Sequence, residues 1–185
     1  ISDGMGAVVF LMWFGFVIQG SIMMGATAIV SRMTGARDYS QAQHGLHQAA
    51  MLGLLAGIIS CGLLFACSGF LVTHVLTMNE AAREYALQYV YVAAFAAPFS
   101  GVVFAVNAAL RGSGDTRLPF WIMMNVGVLN VIFSVLFVFA DAPLGGWRIG
   151  GIAAGTVCGY GISMCLLLFI MMRRRKKIFA EHPGL

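Results

Sequence analysis

An all-α, polytopic bundle of membrane-spanning helices is the fold class predicted for this chain, and three observations predict it. Of its 185 residues, 60% are hydrophobic and only 10% are charged, where a soluble domain carries about 25% charged residues. Its mean hydropathy is +0.88. Its seven acidic and eleven basic residues mark the edges of five long apolar blocks. An uncharged run of about 20 residues is what a helix needs to cross a roughly 30 Å hydrocarbon core. Strands of a membrane barrel would instead read as alternating segments of about 10 residues.

The five blocks place the spans. The first lies within Met5–Val30, between Asp3 and Arg32. It is too long for a signal-peptide core and has no basic leader or small-residue cleavage site. The chain begins with Ile1 and not Met, so a segment upstream is expected. The second span lies within Ala49–Val75 and carries Gly53 and Gly57, a small-residue face for close helix packing. The third, Tyr85–Leu110, holds Pro98 near its centre. The fourth, Leu118–Ala140, carries Asn125, Asn130 and Ser134. The fifth, Ile149–Met172, repeats Gly151, Gly155 and Gly159 on one face, again a packing surface. Trp13, Trp121 and Trp147 lie near span ends or in loops, where interfacial anchoring is expected. The connections are short and hold turn chemistry, as in Arg111-Gly-Ser-Gly-Asp-Thr-Arg117.

The charge distribution orients the chain. Alternating spans put the Arg32/Arg37 loop, the Arg111/Arg117 loop and the Arg173–Lys177 tail on one side, with nine of the eleven Lys and Arg. Only Arg83 and Arg148 fall opposite. By the positive-inside bias the crowded side is cytoplasmic. The N-terminus of this chain is then outside, which one preceding helix would explain. The same distribution argues against a nucleic-acid partner, because the basic residues sit at span ends and form no continuous binding face.

No catalytic constellation appears, and no enzyme is expected. Cys61, Cys67, Cys158 and Cys165 lie within apolar blocks and form no metal-ligand spacing. His44, His47 and His74 sit at or near span ends and not at mid-membrane. The Arg111–Arg117 turn is rich in glycine but lacks the Gly-Lys-Ser/Thr element of a P-loop. No carboxylate lies within a span, where an ion-coupled pump usually keeps one.

The uncharged polar residues inside the spans are therefore the candidates for a site. Asn107 lies in the third span, Asn125, Asn130 and Ser134 in the fourth, and Thr156, Tyr160 and Ser163 in the fifth. Each amide or hydroxyl needs a partner in hydrocarbon. Asn130 and Ser134 are four apart and share a helical face. With Thr156 they can form a neutral oxygen cluster of the kind that suits a hard cation. The same residues can equally serve as interhelical hydrogen bonds that hold the bundle together, and the residues alone favour that simpler use.

Three stretches carry a resemblance to a known family. They are Gly25–Ala42 (GATAIVSRMTGARDYSQA), Tyr85–Pro119 with its central Pro98 and ALRGSGDTRLP exit, and Asn130 through PLGGWRIGGIAAGT to Thr156. Together they resemble the multidrug and toxic compound extrusion (MATE) family, in order and over nearly the whole chain. The resemblance implies a twelve-helix fold of two six-helix lobes, with residues 1–185 as helices two to six of the N-terminal lobe. It implies an antiporter that exports organic cations, drugs and other amphipathic compounds in exchange for H⁺ or Na⁺, with no cofactor beyond the coupling ion. The expected partners are small organic cations, the lipid bilayer, and a first helix and second lobe outside this chain. The expected location is the bacterial inner membrane.

Many prokaryotic members of that family couple ions through a first-helix Asp, an Asn-x-x-x-Asp pair on the fifth helix and a Thr on the sixth. By resemblance Asn130 matches the Asn, Thr156 the Thr, and Ser134 stands where the second Asp would be. Asn107 joins them as a cavity candidate. Asn130, Ser134 and Thr156 are neutral at ordinary pH, so a carboxylate for coupling must come from elsewhere. A lipid or oligosaccharide flippase of similar lobed architecture, or a membrane scaffolding protein, is the alternative expectation.

Overall fold

The computed structural model describes residues 2–70, 80–139 and 148–173. Six helices make it up: α1 Ser2–Gly35, α2 Tyr39–Phe70, α3 Glu80–Ala94, α4 Ala96–Gly112, α5 Arg117–Phe139 and α6 Arg148–Arg173. Among the described residues there is no strand. Four helical stretches are long and apolar enough to cross a membrane: Gly15–Gly35, Tyr39–Gly69, Arg117–Phe139 and Gly150–Arg173. The bent pair Leu87–Ala94 and Ala96–Gly112 makes a fifth if it is taken as one span. The fold is thus the predicted all-α membrane bundle.

The third span is where the structure departs from a simple helix. It bends by 46° at Phe95, whose N–H reaches back only to the Val92 carbonyl at 3.2 Å. The cause is three residues further on. Pro98 has no N–H to give the Ala94 carbonyl, and its ring crowds that turn. The second helix also begins ten residues before the apolar block at Ala49, because Asp38 starts it: its Oδ1 accepts the Gln41 N–H at 3.1 Å, an N-cap bond.

The α1–α2 and α4–α5 connections are built alike. In the first, the Asp38 N–H reaches the Met33 carbonyl at 3.1 Å and the Arg37 N–H the Thr34 carbonyl at 3.0 Å. In the second, Asp115 reaches Leu110 at 3.0 Å and Gly114 reaches Arg111 at 3.1 Å. Both are Schellman closures with a left-handed residue at the turn, Arg37 at φ 59° and Gly114 at φ 90°. Asp115 then caps α5 through the N–H groups of Arg117 and Leu118, at 3.0 and 3.2 Å.

Helix α4 is the axis of the bundle, with twelve of its seventeen residues buried. Small residues bring its neighbours in. A Cβ on Gly53 or Gly57 would run into the Gly101 or Ala97 carbonyl, so α2 and α4 touch backbone to backbone. At the other end of α4, a Cβ on Gly112 would lie 2.7 Å from the Thr27 carbonyl of α1, and the Thr27 hydroxyl donates to the Ala108 carbonyl at 3.1 Å. Val30, Leu46, Val103, Val106, Leu110, Ile122 and Leu167 form a core reaching from α1 to α6.

Helix α5 is peripheral. Its buried residues are Leu118, Pro119, Ile122 and Val126, all in its first half. Beyond them Val128, Val131, Ile132, Val135, Leu136 and Phe139 are exposed, as a lipid-facing surface is. The second half of α5 is held by α6. A Cβ on Gly151, Gly155 or Gly159 would meet the backbone of Phe137, Ser134 or Asn130, so the glycine repeat is a packing seam.

Candidate functional site in the helix seam

The seam brings three of the four candidate residues together. Asn130 on α5 donates through Nδ2 to Thr156 Oγ1 on α6 at 2.8 Å. Thr156 donates its own proton to the Ile152 carbonyl one turn back, at 3.2 Å. Ser134 Oγ donates to the same carbonyl at 3.4 Å. Ile152 O is thus the shared acceptor, and Gly155 makes room for the Ser134 side chain. Because the Thr156 proton is used on Ile152, the threonine oxygen must accept from Asn130. That fixes the amide orientation and leaves Asn130 Oδ1 as an acceptor with no donor among the described residues. All three residues are half-buried, so the cluster lies at the edge of the seam and is reachable from one side.

A second polar rung lies one to two turns along the same seam. Ser163, fully buried, donates to Asn125 Oδ1 at 3.0 Å. Both residues are visible in the sequence as intramembrane polar groups. Their pairing follows from the antiparallel register that also joins Asn130 to Thr156.

Asn107 stands apart. It is 1% exposed, on α4, and neither its amide nitrogen nor its amide oxygen has a hydrogen-bond partner among the described residues. It makes no hydrogen bond to the Asn130 cluster. Three residues earlier on the same face, Phe104 sets its ring edge-on to Tyr160, with centroids 5.6 Å apart. Tyr160 is one turn from Thr156, so Asn107 belongs to the same region of the α4–α6 contact. An orphaned buried amide costs about 1–3 kcal/mol per unmet group, so its retention in a core position calls for an explanation.

Gln19, Ser60, Ser68 and Ser100 are buried polar residues that the sequence reading did not single out. Gln19 on α1 is 5% exposed. It donates through Nε2 to the Ala97 carbonyl at 3.2 Å and accepts from Ser100 Oγ at 3.3 Å. Ser100 Oγ also lies 3.1 Å from Ala97 O, so its one proton is shared between the two acceptors. This brace sits at the bend in the third span. The rule that found Asn107, an uncharged polar residue inside an apolar block, finds Gln19 as well.

Other candidates are plainly placed. Trp13 and Trp121 are exposed, while Trp147 and His74 lie outside the described residues. His44 and His47 are exposed, and His47 Nδ1 lies 2.8 Å from the Gln43 carbonyl. All four cysteines are free thiols.

The MatE family model matches residues 3–136 of this chain. The chain belongs to the MatE family. The family consists of transporters and not enzymes, and this MatE chain is an integral membrane protein with several helices long and apolar enough to cross a bilayer. It is 27% identical over 168 residues to a FAD transporter of Shewanella oneidensis, covering 88% of this chain and 36% of that protein. To the probable multidrug resistance protein NorM of Thermotoga maritima it is 21% identical, covering 99% of this chain and 39% of the relative. To the multidrug resistance protein NorM of Vibrio vulnificus it is 25% identical, covering 92% and 38%. The chain therefore spans well under half the length of the relatives it matches.

Two solved structures of multidrug resistance MATE family transporters share the fold at 21% identity. One is inward-facing, with a TM-score of 0.74 over 93% of this chain and 38% of the other. The other is outward-facing, with a TM-score of 0.75 over 96% and 41%.

Proposed function

We propose that this chain carries the ion-coupling part of an antiporter that exports organic cations and other amphipathic compounds in exchange for H⁺ or Na⁺. The observation that supports the reading best is the convergence of Asn130, Ser134 and Thr156 on one level of the seam. Asn130 Oδ1, Ser134 Oγ and Thr156 Oγ1 are oxygen ligands of the type a hard cation takes. They are also neutral, so they complete a shell whose charge is balanced by a carboxylate outside this cluster. The buried amide of Asn107 is a further polar group available to an ion or a cargo molecule that reaches the α4–α6 contact.

In this reading residues 1–185 are helices two to six of an N-terminal lobe that rocks against a second lobe around a midplane cavity. The near-equal likeness to an inward-facing and an outward-facing transporter supports a lobe that moves as a body. The location is the bacterial cytoplasmic membrane, with the Arg32/Arg37 and Arg111/Arg117 loops inside.

The test uses the full-length protein in proteoliposomes with an imposed Na⁺ or H⁺ gradient. Gradient-driven export of an organic cation is expected, and Asn130→Ala is expected to uncouple it. Export that ignores both gradients, or coupling untouched by Asn130→Ala, overturns the proposal. The likeness to the FAD transporter favours a second reading of the cargo alone: a flavin dinucleotide. The same vesicles supplied with FAD in place of the cation separate the two.

A further inference from the structure

We infer that a buried water is bound at the bend of the third span, between the Ser60 hydroxyl of α2 and the Ala94 carbonyl. Contacts on both sides of the bend fix the place. Gly53, Gly57, Ser60 and Leu64 have the spacing of one face of α2. A Cβ on Gly53 would run into the Gly101 backbone, and one on Gly57 into the Pro98 Cα. Leu64 packs with Ala94, and Cys61 packs against that pair. The Phe65 ring stacks on Tyr91 with centroids 5.3 Å apart. The third span thus presents Gly101, Pro98, Ala94 and Tyr91 to α2 in turn. Ser60 stands between the contact to Pro98 and the contact to Ala94. From the other side, a Cβ on Gly15 of α1 would come 3.9 Å from the Ser60 Cβ, which closes the place off.

Two polar groups meet here, each short of a partner. Ser60 is 1% exposed, and its hydroxyl has no hydrogen-bond partner among the described residues. A serine inside a helix can return its proton to its own preceding turn. Ser68 does so with the Phe65 carbonyl at 3.3 Å, and Ser100 reaches the Ala97 carbonyl at 3.1 Å. Ser60 does not. The second group is the Ala94 carbonyl, to which Pro98 has no N–H to give. Ala94 lies one turn before Pro98 on the same face of the span, and that face is the one packed on α2. The bend opens the chain just there, where the Phe95 N–H turns to Val92 at 3.2 Å.

A donor without an acceptor and an acceptor without its donor, on facing helices and not bonded to each other, are what one water joins. Ser60 donates to the water oxygen, and the water donates to Ala94 O. Buried waters serve such unmet groups, and a backbone carbonyl freed by proline inside a membrane needs a partner of this kind. A hard cation is the poorer occupant. It takes about six oxygen ligands, and no carboxylate lies within these spans to balance its charge.

The test is radiolytic footprinting of the full-length protein in lipid nanodiscs. X-rays split water where it is bound, and the hydroxyl radicals oxidise the side chains beside it. Cys61, next to Ser60 and a free thiol, is the reporter. Cys165 on α6, also a free thiol, is the control. Cys61 should be oxidised in the parent protein, and Ser60→Ala should lower its rate several-fold. Pro98→Ala, which gives Ala94 its N–H back, should lower it as well. An unchanged Cys165 rate in each variant shows that the fold is intact. A Cys61 that stays unoxidised in the parent, or a rate that survives Ser60→Ala, overturns the inference. A Cys61 rate that falls when Na⁺ replaces K⁺ in the buffer assigns the place to a cation and also overturns it.

Discussion

Asn130 and Thr156 meet across the α5–α6 seam through a hydrogen bond of 2.8 Å, with the threonine proton already spent on Ile152. The pair thus has a fixed direction, and the acceptor it leaves without a donor among the described residues is Asn130 Oδ1. It also ties the second half of α5 to its one close neighbour, since the burial of α5 ends at Val126.

A double-mutant cycle on this pair separates structure from coupling. Asn130→Ala, Thr156→Val and the double variant should show a coupling energy of about 0.6 kcal/mol, and no more than about 1.7 kcal/mol, in reversible unfolding in lipid or mild detergent. A purely structural bond predicts that ion dependence of transport in the full-length protein survives Thr156→Val, which keeps the side chain's shape. The ion-site proposal predicts that Thr156→Val loses ion dependence by more than its small stability loss explains.

The glycines of the seam give a sharper stability prediction. A Cβ at Gly155 would lie 2.6 Å from the Ser134 backbone nitrogen and closer still to its hydroxyl. The hydroxyl can rotate away, but the backbone nitrogen cannot move without parting the helices. Gly155→Ala should cost about 1–3 kcal/mol, the usual range for overpacking, and should also break the Ser134–Ile152 contact. Gly161→Ala, two turns along on a face with open space, should be neutral or slightly stabilising, since alanine favours a helix over glycine. Equal midpoints for the two variants in a thermal unfolding series would refute this account of the seam.

The bend in the third span offers another measurable step. Gln19 and Ser100 both serve the Ala97 carbonyl, one residue before the proline that makes the bend. Gln19→Leu roughly keeps the volume but removes the Gln19 donor to Ala97 and leaves the Ser100 hydroxyl with the Ala97 carbonyl alone. A loss of about 1 kcal/mol is expected, with faster amide exchange confined to residues around Phe95. Exchange that rises evenly along α4 would show that the brace does not serve the bend.

Much of this architecture is legible from charge alone. Charges bound the apolar blocks, and the blocks became helices. The Gly151, Gly155 and Gly159 repeat announced a packing face. Asn130 and Ser134 were legible as one face because a spacing of four on a helix is a spatial statement in itself, and Thr156 was joined to them by the family resemblance. What stayed hidden depends on contacts between distant segments. Pro98 signals a disturbed helix but not a 46° bend at Phe95, since the break falls where the helix can close a tighter turn. Gln19 has no partner within its own helix, and Ala97 becomes one only when α1 crosses α4. The start of α2 ten residues before its apolar block was written in Asp38 and Gln41, a local capping signal that hydropathy does not see.

Asn107 is the residue on which stability and function should part. Leucine has the branching of asparagine with bulkier methyls and no polar atoms. In a site that is 1% exposed, where both amide atoms lack partners among the described residues, Asn107→Leu removes an unmet polar group and adds apolar packing. The variant should be more stable than the parent by about 1–3 kcal/mol, read as a raised unfolding midpoint. If an ion or cargo molecule meets this amide during transport, the same substitution should lower gradient-driven export by the full-length protein about tenfold, the worth of one hydrogen bond to a charged group. Asn107→Asp reverses the stability prediction, because a carboxyl in that position must either stay protonated or carry an unpaired buried charge. A destabilised Asn107→Leu would show that the amide has a structural partner or that the site has no room for the two methyls. A stabilised Asn107→Leu with full transport would remove Asn107 from the functional site.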